Sequence, residues 1–383
     1  MTRRRTGRII LALVLALAVL LAAGTCALPR PGPPRAAPPP AGAREATVVV
    51  SERYRAGAIR RFLLGGGYRE VWATPVRVEV LDVAGLAPMR RGGSGQTHGL
   101  HLRDAQGRHW VFRATDKDQA RRLGGLERAL LGRFRQDQVG AMHPAAAVVA
   151  GALQESAGVL NAPPRLVVMP DAPQLDSFRV AFAGLPGTFE ERPRAGFAGA
   201  SRVLDTEELL RQEAPVIDTA AYLRMRLVDV FLGDWDRHDG QVRWAWMERG
   251  GAGRWVPVPR DRDYAFADYR GVLPALARGV DAKIVRFDGE YRDLAGLLAK
   301  ARALDVRFLC GVPPAAWDST AAGLRRSLSD AAITAAVGRM PREYAARSAP
   351  RLTATLRARR DRLPDAARRF RTHLHAGGAC TGS

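Results

Sequence analysis

From Pro75 to Val83 the chain reads PVRVEVLDV, apolar and polar by turns, which is the period-two pattern of a strand with one buried face. Two shorter strand-like pieces, Leu100–Arg103 and His109–Arg113, are joined by the turn sequence DAQG. Ahead of them lies MRRGGSGQTHG, Met89 to Gly99, predicted as a glycine-rich loop. Pro144–Gly158 carries a helical pattern and stops on a glycine, the residue best suited to the left-handed turn past a helix end. LVVMP (Leu166–Pro170) and FRVAFAG (Phe178–Gly184) are predicted as two more strands.

Further along, the period becomes helical. Thr206 opens TEELL, with an N-cap and acids in the first turn. Asp218 opens DTAAYLRMRLVDVFLG, an amphipathic helix that runs to Gly233. VRWAWM and RWVPVP predict a hairpin, followed by RDRDYAF from Arg260 to Phe266. Helices fill the remainder, and Ala345–His375 is thick with arginine. The expected fold is α+β and two-lobed, with a strand-rich N-lobe over residues 45–190, a helical C-lobe over 191–383, and a ligand cleft between them.

The N-terminus changes the picture of where this domain works. Arg3, Arg4, Arg5 and Arg8 precede an uncharged run from Ile9 to Leu28, long enough to span a bilayer. Residues 1–28 are therefore expected to be a signal peptide or membrane anchor, and the rest of the chain to be extracytoplasmic, in the periplasm or at the cell surface. AGTC, ending at Cys26, is close to a lipoprotein box, although Ala23 and Thr25 depart from it. Residues 29–44 include PRPGPPRAAPPP, expected to be a stiff tether that does not pack into the domain. The remaining cysteines, Cys310 and Cys380, are free to pair in an oxidising compartment.

The formal net charge is +21, almost all of it arginine; the lysines are Lys117, Lys283 and Lys300. Such a surface suits an anionic envelope, lipid or glycan phosphate. No aromatic-basic recognition motif accompanies it, so nucleic acid is not an expected partner.

The densest chemistry lies in GDWDRHDGQVRW, where Asp234, Asp236 and Asp239 crowd one turn. A calcium loop fails, because His238 and Asp239 fall where a ligand and a glycine belong. A zinc site fails for want of clustered His and Cys. A phosphoryl-transfer site fits better: Asp236 as base with His238 beside it, and Gln241 and Asp261 or Asp263 as ligands of Mg²⁺ or Mn²⁺. Gly92, Gly93, Ser94 and Gly95 are candidates to expose N–H groups to the phosphates of ATP or another nucleoside triphosphate. Arg113 or Lys117 would reach the same phosphates. Plainer readings stand beside these: an ion-pair cluster at the turn, a simple hairpin loop, Asp261 and Asp263 paired with Arg260 and Arg262, and Lys117 as a surface lysine.

DRHDGQ followed by RDRDYAF resembles the atypical kinases that include HipA-like kinases, type II phosphatidylinositol 4-kinases and secreted Golgi kinases. YREVWATPV, RRGGSGQTHGLHL, VFRATDKD, GDWDRHDGQVRW and VPRDRDYAF are together similar to a bacterial extracytoplasmic family built on that core, over roughly Tyr68–Pro341. The resemblance implies a protein-kinase-like fold and a phosphotransferase with a protein, lipid or glycan acceptor. It also implies departures: Arg113 stands where a lysine is usual, and Gln241 where asparagine is usual. An acidic partner for the basic residue is expected on a helix, with Asp137 and Glu155 as candidates. These departures keep open a non-catalytic envelope module binding an anionic ligand. A metal-dependent phosphohydrolase is a third reading.

Overall fold

A computed structural model describes residues 37–93, 97–119, 124–378 and 380. The protein is mixed α/β, with its strands in the first two thirds and a helical C-terminal part. The larger sheet has seven strands in the order β1-β2-β6-β7-β5-β4-β3. They are β1 (Glu45–Val48), β2 (Val76–Val80), β3 (Ala87–Gly92), β4 (Gly99–Arg103), β5 (His109–Ala114), β6 (Arg165–Val168) and β7 (Pro186–Glu191). All neighbours are antiparallel except β2 and β6. The alternation read in PVRVEVLDV holds: Val76, Val78 and Val80 are buried. A second sheet, β10-β9-β8, joins β8 (Arg202–Asp205) to the hairpin of β9 (Val242–Arg249) and β10 (Ala252–Pro259).

Several expectations shift. FRVAFAG is not a strand: Pro173–Phe178 is a 3₁₀ segment and Arg179–Phe182 a helical turn. Alternation over so few residues does not separate strand from helix, and the strand is the next segment, Pro186–Glu191. The glycine-rich loop is shorter than Met89–Gly99, because Met89–Gly92 belongs to β3. The cap of Thr206–Leu210 is Asp205, which accepts the Glu208 N–H at 2.9 Å while Glu208 reaches back to the Asp205 N–H, a capping box. The end of the expected tether does pack: Pro39 is buried, and its carbonyl accepts the Asp171 N–H at 2.8 Å.

The largest buried apolar cluster runs from Val48, Trp72 and Val78 to Phe231, Trp317 and Leu356, so the strands and the C-terminal helices share one core. A disulfide joins Cys310 to Cys380. Among the described residues no helix is long and apolar enough to cross a membrane; Ile9–Leu28 lies outside them.

Candidate active site

The helix Thr219–Leu232 delivers the Asp-rich turn. Asp218 caps it by accepting the Ala221 N–H at 2.8 Å. Gly233 ends it at φ 69°, where an added Cβ would meet the Phe287 ring at 2.9 Å.

Arg237, 1% exposed, then organises the turn. Its fork donates to Asp229 at 2.9 Å through two nitrogens and to Asp234 at 3.0 Å. Its remaining nitrogen donates to the carbonyls of Gln241 at 3.0 Å and Arg260 at 2.7 Å. One guanidinium thus fastens the helix end, the turn, the start of β9 and the exit of β10, which a single-point ammonium could not do. Burial pushes the Asp234 carboxyl up to about 7, with Arg237 opposing and Asp229 and Asp236 adding to the rise.

Asp236 stays at the edge of this cluster. Its N–H donates to Asp234 at 3.2 Å, and its carboxylate pairs with Lys300. The Lys300 ammonium lies 4.8 Å from the centre of the Trp235 ring. His238 turns inward to the backbone, its Nδ1 accepting the Gly240 N–H at 3.1 Å, so its contact is a local cap. Sequence reasoning missed Lys300 because nothing local ties it to residue 236.

Gln241 and Asp261 meet: the Gln241 amide donates to Asp261 Oδ2 at 3.0 Å. Asp261 sits in the left-handed region at φ 51°, a conformation that costs energy and is commonest where structure over-determines it. Lys117 is 4% exposed, so the surface-lysine reading fails. It pairs with Asp263 and lies 4.5 Å from the centre of the Tyr264 ring, which Trp235 contacts edge-on at 4.6 Å. Burial alone would raise Asp261, but Lys117, Arg113 and the Gln241 amide outweigh it and hold this carboxyl well below the usual range. Burial and the Asp261 charge push Asp263 up to about 7. Asp263 Oδ1 is buried without a hydrogen-bond partner among the described residues. Among those residues no group of three or more His, Cys, Asp or Glu side chains converges as a metal cluster.

Arg113 pairs with Glu190, which also accepts from Arg262 at 2.7 Å. Asp261 and Asp263 therefore do not simply pair with the arginines beside them in sequence. The acidic partner sought on a helix is on a strand: Arg113 stands opposite Thr188, and Glu190 lies two residues along on the same face. Asp137 instead holds Arg60 and Arg69. Gly92 pairs with Gly99, and Gly99 with Arg113, so the glycine row crosses the sheet toward this wall. An added Cβ on Gly92 would lie 2.5 Å from the His101 ring. Gly93 follows at φ 98°. Ser94 and Gly95 lie outside the described residues.

No family model matches the chain. No curated protein matches it. Among solved structures it is similar to a Helicobacter pylori proinflammatory kinase, CtkA, at 10% identity and a TM-score of 0.38, over 77% of this chain and 99% of that one.

Proposed function

We propose that this protein is a metal-dependent phosphotransferase of atypical kinase-like type. The observation that carries it is the convergence of Gln241, Asp261 and Asp263 from the ends of β9 and β10 with Arg113 and Lys117 from the end of β5. Amide and carboxylate oxygens suit Mg²⁺ or Mn²⁺, and the orphaned Asp263 Oδ1 is an oxygen for which the described residues supply no donor. Gln241, Asp261 and Asp263 would hold the ion, which when bound supplies charge stabilisation at a phosphoryl group. Arg113 and Lys117 bind the phosphates, and Lys117 is held charged by Asp263 despite its burial. Asp236 takes the acceptor's hydroxyl proton, its carboxylate oriented by Lys300 and by the turn that Arg237 fixes.

In this reading residues 45–190 and 191–383 are the N-lobe and C-lobe of a kinase-like fold. The domain is extracytoplasmic and tethered through the N-terminal segment, and the Cys310–Cys380 disulfide supports that compartment. The acceptor is a protein, lipid or glycan hydroxyl. One observation favours the non-catalytic reading: Lys117 already neutralises Asp263, leaving one carboxylate fewer for a cation. Among the described residues no two-metal carboxylate cluster supports a phosphohydrolase.

The test is titration of Mg²⁺ or Mn²⁺ with ATP and GTP, together with phosphate transfer to generic acceptors. Asp261→Ala is expected to abolish metal-dependent nucleotide binding. Asp236→Ala is expected to spare binding and lower turnover by ~10²–10⁴-fold. Wild-type binding without transfer, unchanged in Asp236→Ala, leaves the binding module in place of the enzyme.

A further inference from the structure

The register of the larger sheet puts an uncompensated group of cations on one face. His101 stands opposite Val111, and Val111 opposite Glu190; Arg90 stands opposite His101, and Gly99 opposite Arg113. The Arg192 N–H donates to the His109 carbonyl at 2.7 Å and so continues the β7 ladder by one residue. Residues opposite one another, or two apart on a strand, share a face. Arg90, His101, Arg113 and Arg192 therefore project from the same side. Arg262 crosses to Glu190 on that side at 2.7 Å, which sets the Arg260–Asp263 segment against it. A cavity between the two is lined by Arg113, Thr188, Glu190, Asp261, Arg262 and Asp263, with Arg90, Arg192 and Arg260 outside its lining.

Apart from Asp261 and Asp263, the carboxylates here are already used. Glu190 serves Arg113 and Arg262, and Asp205 serves Arg243 at 3.2 Å. Arg90, Arg192 and Arg260 have no carboxylate within 4.0 Å among the described residues. The cost is visible in their ionisation. Burial, then Arg243, Arg194 and Arg90, push Arg192 down to about 10. Burial, then Arg192, Arg90 and Arg113, push His101 down to about 3, so it is neutral at physiological pH. A fold that gathers like charge without counter-charge is destabilised, and recovers that loss when an anion binds.

We propose that this arginine-bearing face, with the recess beside it, binds a chain of condensed phosphates, and that the protein recognises its ligand by that chain and not by a nucleobase. The strands β7, β5, β4 and β3 are consecutive neighbours, a span of about 14 Å at the usual strand spacing. That is wide for a single phosphate and suits several in a row, with arginine forks matched to phosphate oxygens. Among the described strand residues of β4, β5 and β7, the larger rings face away from these arginines. Trp110, Phe112 and Phe189 alternate to the opposite face, where Phe112 and Phe189 are buried. The inference deepens the phosphotransferase reading by naming what is recognised in the donor, and its binding claim is measured apart from turnover. The chain can be the triphosphate of a nucleotide or an inorganic oligophosphate.

The experiment is calorimetric titration of the detergent-solubilised full chain, without metal, with tripolyphosphate, ATP, adenosine and orthophosphate. Tripolyphosphate and ATP are expected to bind within about threefold of each other, orthophosphate at least about tenfold more weakly, and adenosine not at all. Arg192→Gln and Arg260→Gln should each weaken tripolyphosphate by about tenfold or more, whereas Arg325→Gln on the helix Pro314–Ser327 should not. The Arg192 and Arg260 variants should melt at or above the wild-type temperature when ligand-free, because each removes an unpaired cation. Failure of tripolyphosphate to bind, binding indifferent to Arg192 and Arg260, adenosine binding as tightly as ATP, or Arg192 and Arg260 variants that melt lower would each overturn the proposal. Asp261→Asn separates the two readings. Metal-free tripolyphosphate binding retained without any metal-dependent transfer, even in wild type, sinks only the phosphotransferase. Transfer that ignores the arginines sinks only the recess.

Discussion

His143 lines the cavity beside Asp261 and is 2% exposed. Its Nδ1 accepts the Ala145 N–H at 3.1 Å, so the neutral ring carries its proton on Nε2, 2.9 Å from Ser348 Oγ. The Ser348 hydroxyl in turn donates to the Tyr344 carbonyl at 2.8 Å. A second ring proton would point at the Ala145 N–H. Burial, then Arg351, push this imidazole from 6.5 down to about 3. The folded value lies below the unfolded one, so between these pH values the unfolded chain takes up a proton that the folded chain refuses. Stability from this group is thus flat above about pH 6.5 and falls as the pH drops toward 3. With those two values the loss between pH 8 and pH 5 is about 2 kcal/mol, and the limit at low pH is about 5 kcal/mol. His143→Leu leaves the Ala145 N–H unpaired at a cost of about 1–3 kcal/mol that does not depend on pH. Urea unfolding of both proteins at pH 8 and pH 5 should therefore show the variant less stable at pH 8, with the gap reduced by about 2 kcal/mol at pH 5. A gap equal at the two pH values refutes the assignment of a buried neutral imidazole.

Arg237→Met should destabilise by about 3–5 kcal/mol in urea unfolding, because it strands Asp234 and part of the Asp229 pairing in the core; adding Asp234→Asn should recover a measurable part. Cys310→Ser with Cys380→Ser should cost about 2–4 kcal/mol, as opening a 70-residue separation frees the unfolded chain, and a reducing agent should lower the melting temperature of wild type but not of the variant. Lys117→Met should tighten Mn²⁺ binding in the absence of any phosphate by about tenfold, since Lys117 competes for Asp263; equal or weaker binding would count against Asp263 as a ligand.

What the sequence made legible was local. Asp218 and Gly233 bound their helix as read, because caps are fixed within a few residues. The hairpin β9–β10 forms between its two aromatic-rich runs and brings Gln241 to Asp261 across its base, which the spacing anticipated. The partners that failed to show are set by tertiary pairing. Glu190 reaches Arg113 through the β5–β7 ladder, and Lys300 reaches Asp236 from beyond a separate helix. No periodicity records either contact. Lys117 was ambiguous for the same reason: TDKD is as polar as any surface turn, and only Asp263 and Tyr264 make its burial tolerable. FRVAFAG failed because a short alternating run fits one turn of helix equally well, with Phe182 buried and Val180 exposed.

Elsewhere in the protein, buried charge is arranged in shared sets. Asp137 takes Arg60 and Arg69, Asp268 takes Arg270 and Arg351, and Asp229 takes Arg226 and Arg237. One carboxylate between two forks satisfies its oxygens and keeps both guanidiniums hydrogen-bonded, which is the condition under which burying such charge is tolerable. The candidate site breaks this arrangement in both directions. Asp261 and Asp263 share one ammonium and an amide, an excess of acid. Arg90, Arg192 and Arg260 have no acid of their own, an excess of base. The two excesses are neighbours, Arg260 standing directly before Asp261 in the chain. A divalent cation carrying a phosphate chain has the complementary order of charge, positive where the carboxylates are and negative where the arginines are. Neither a metal alone nor a simple anion alone would satisfy both halves, and that asymmetry is why we favour a phosphoryl donor over a structural ion pair as the partner of this site.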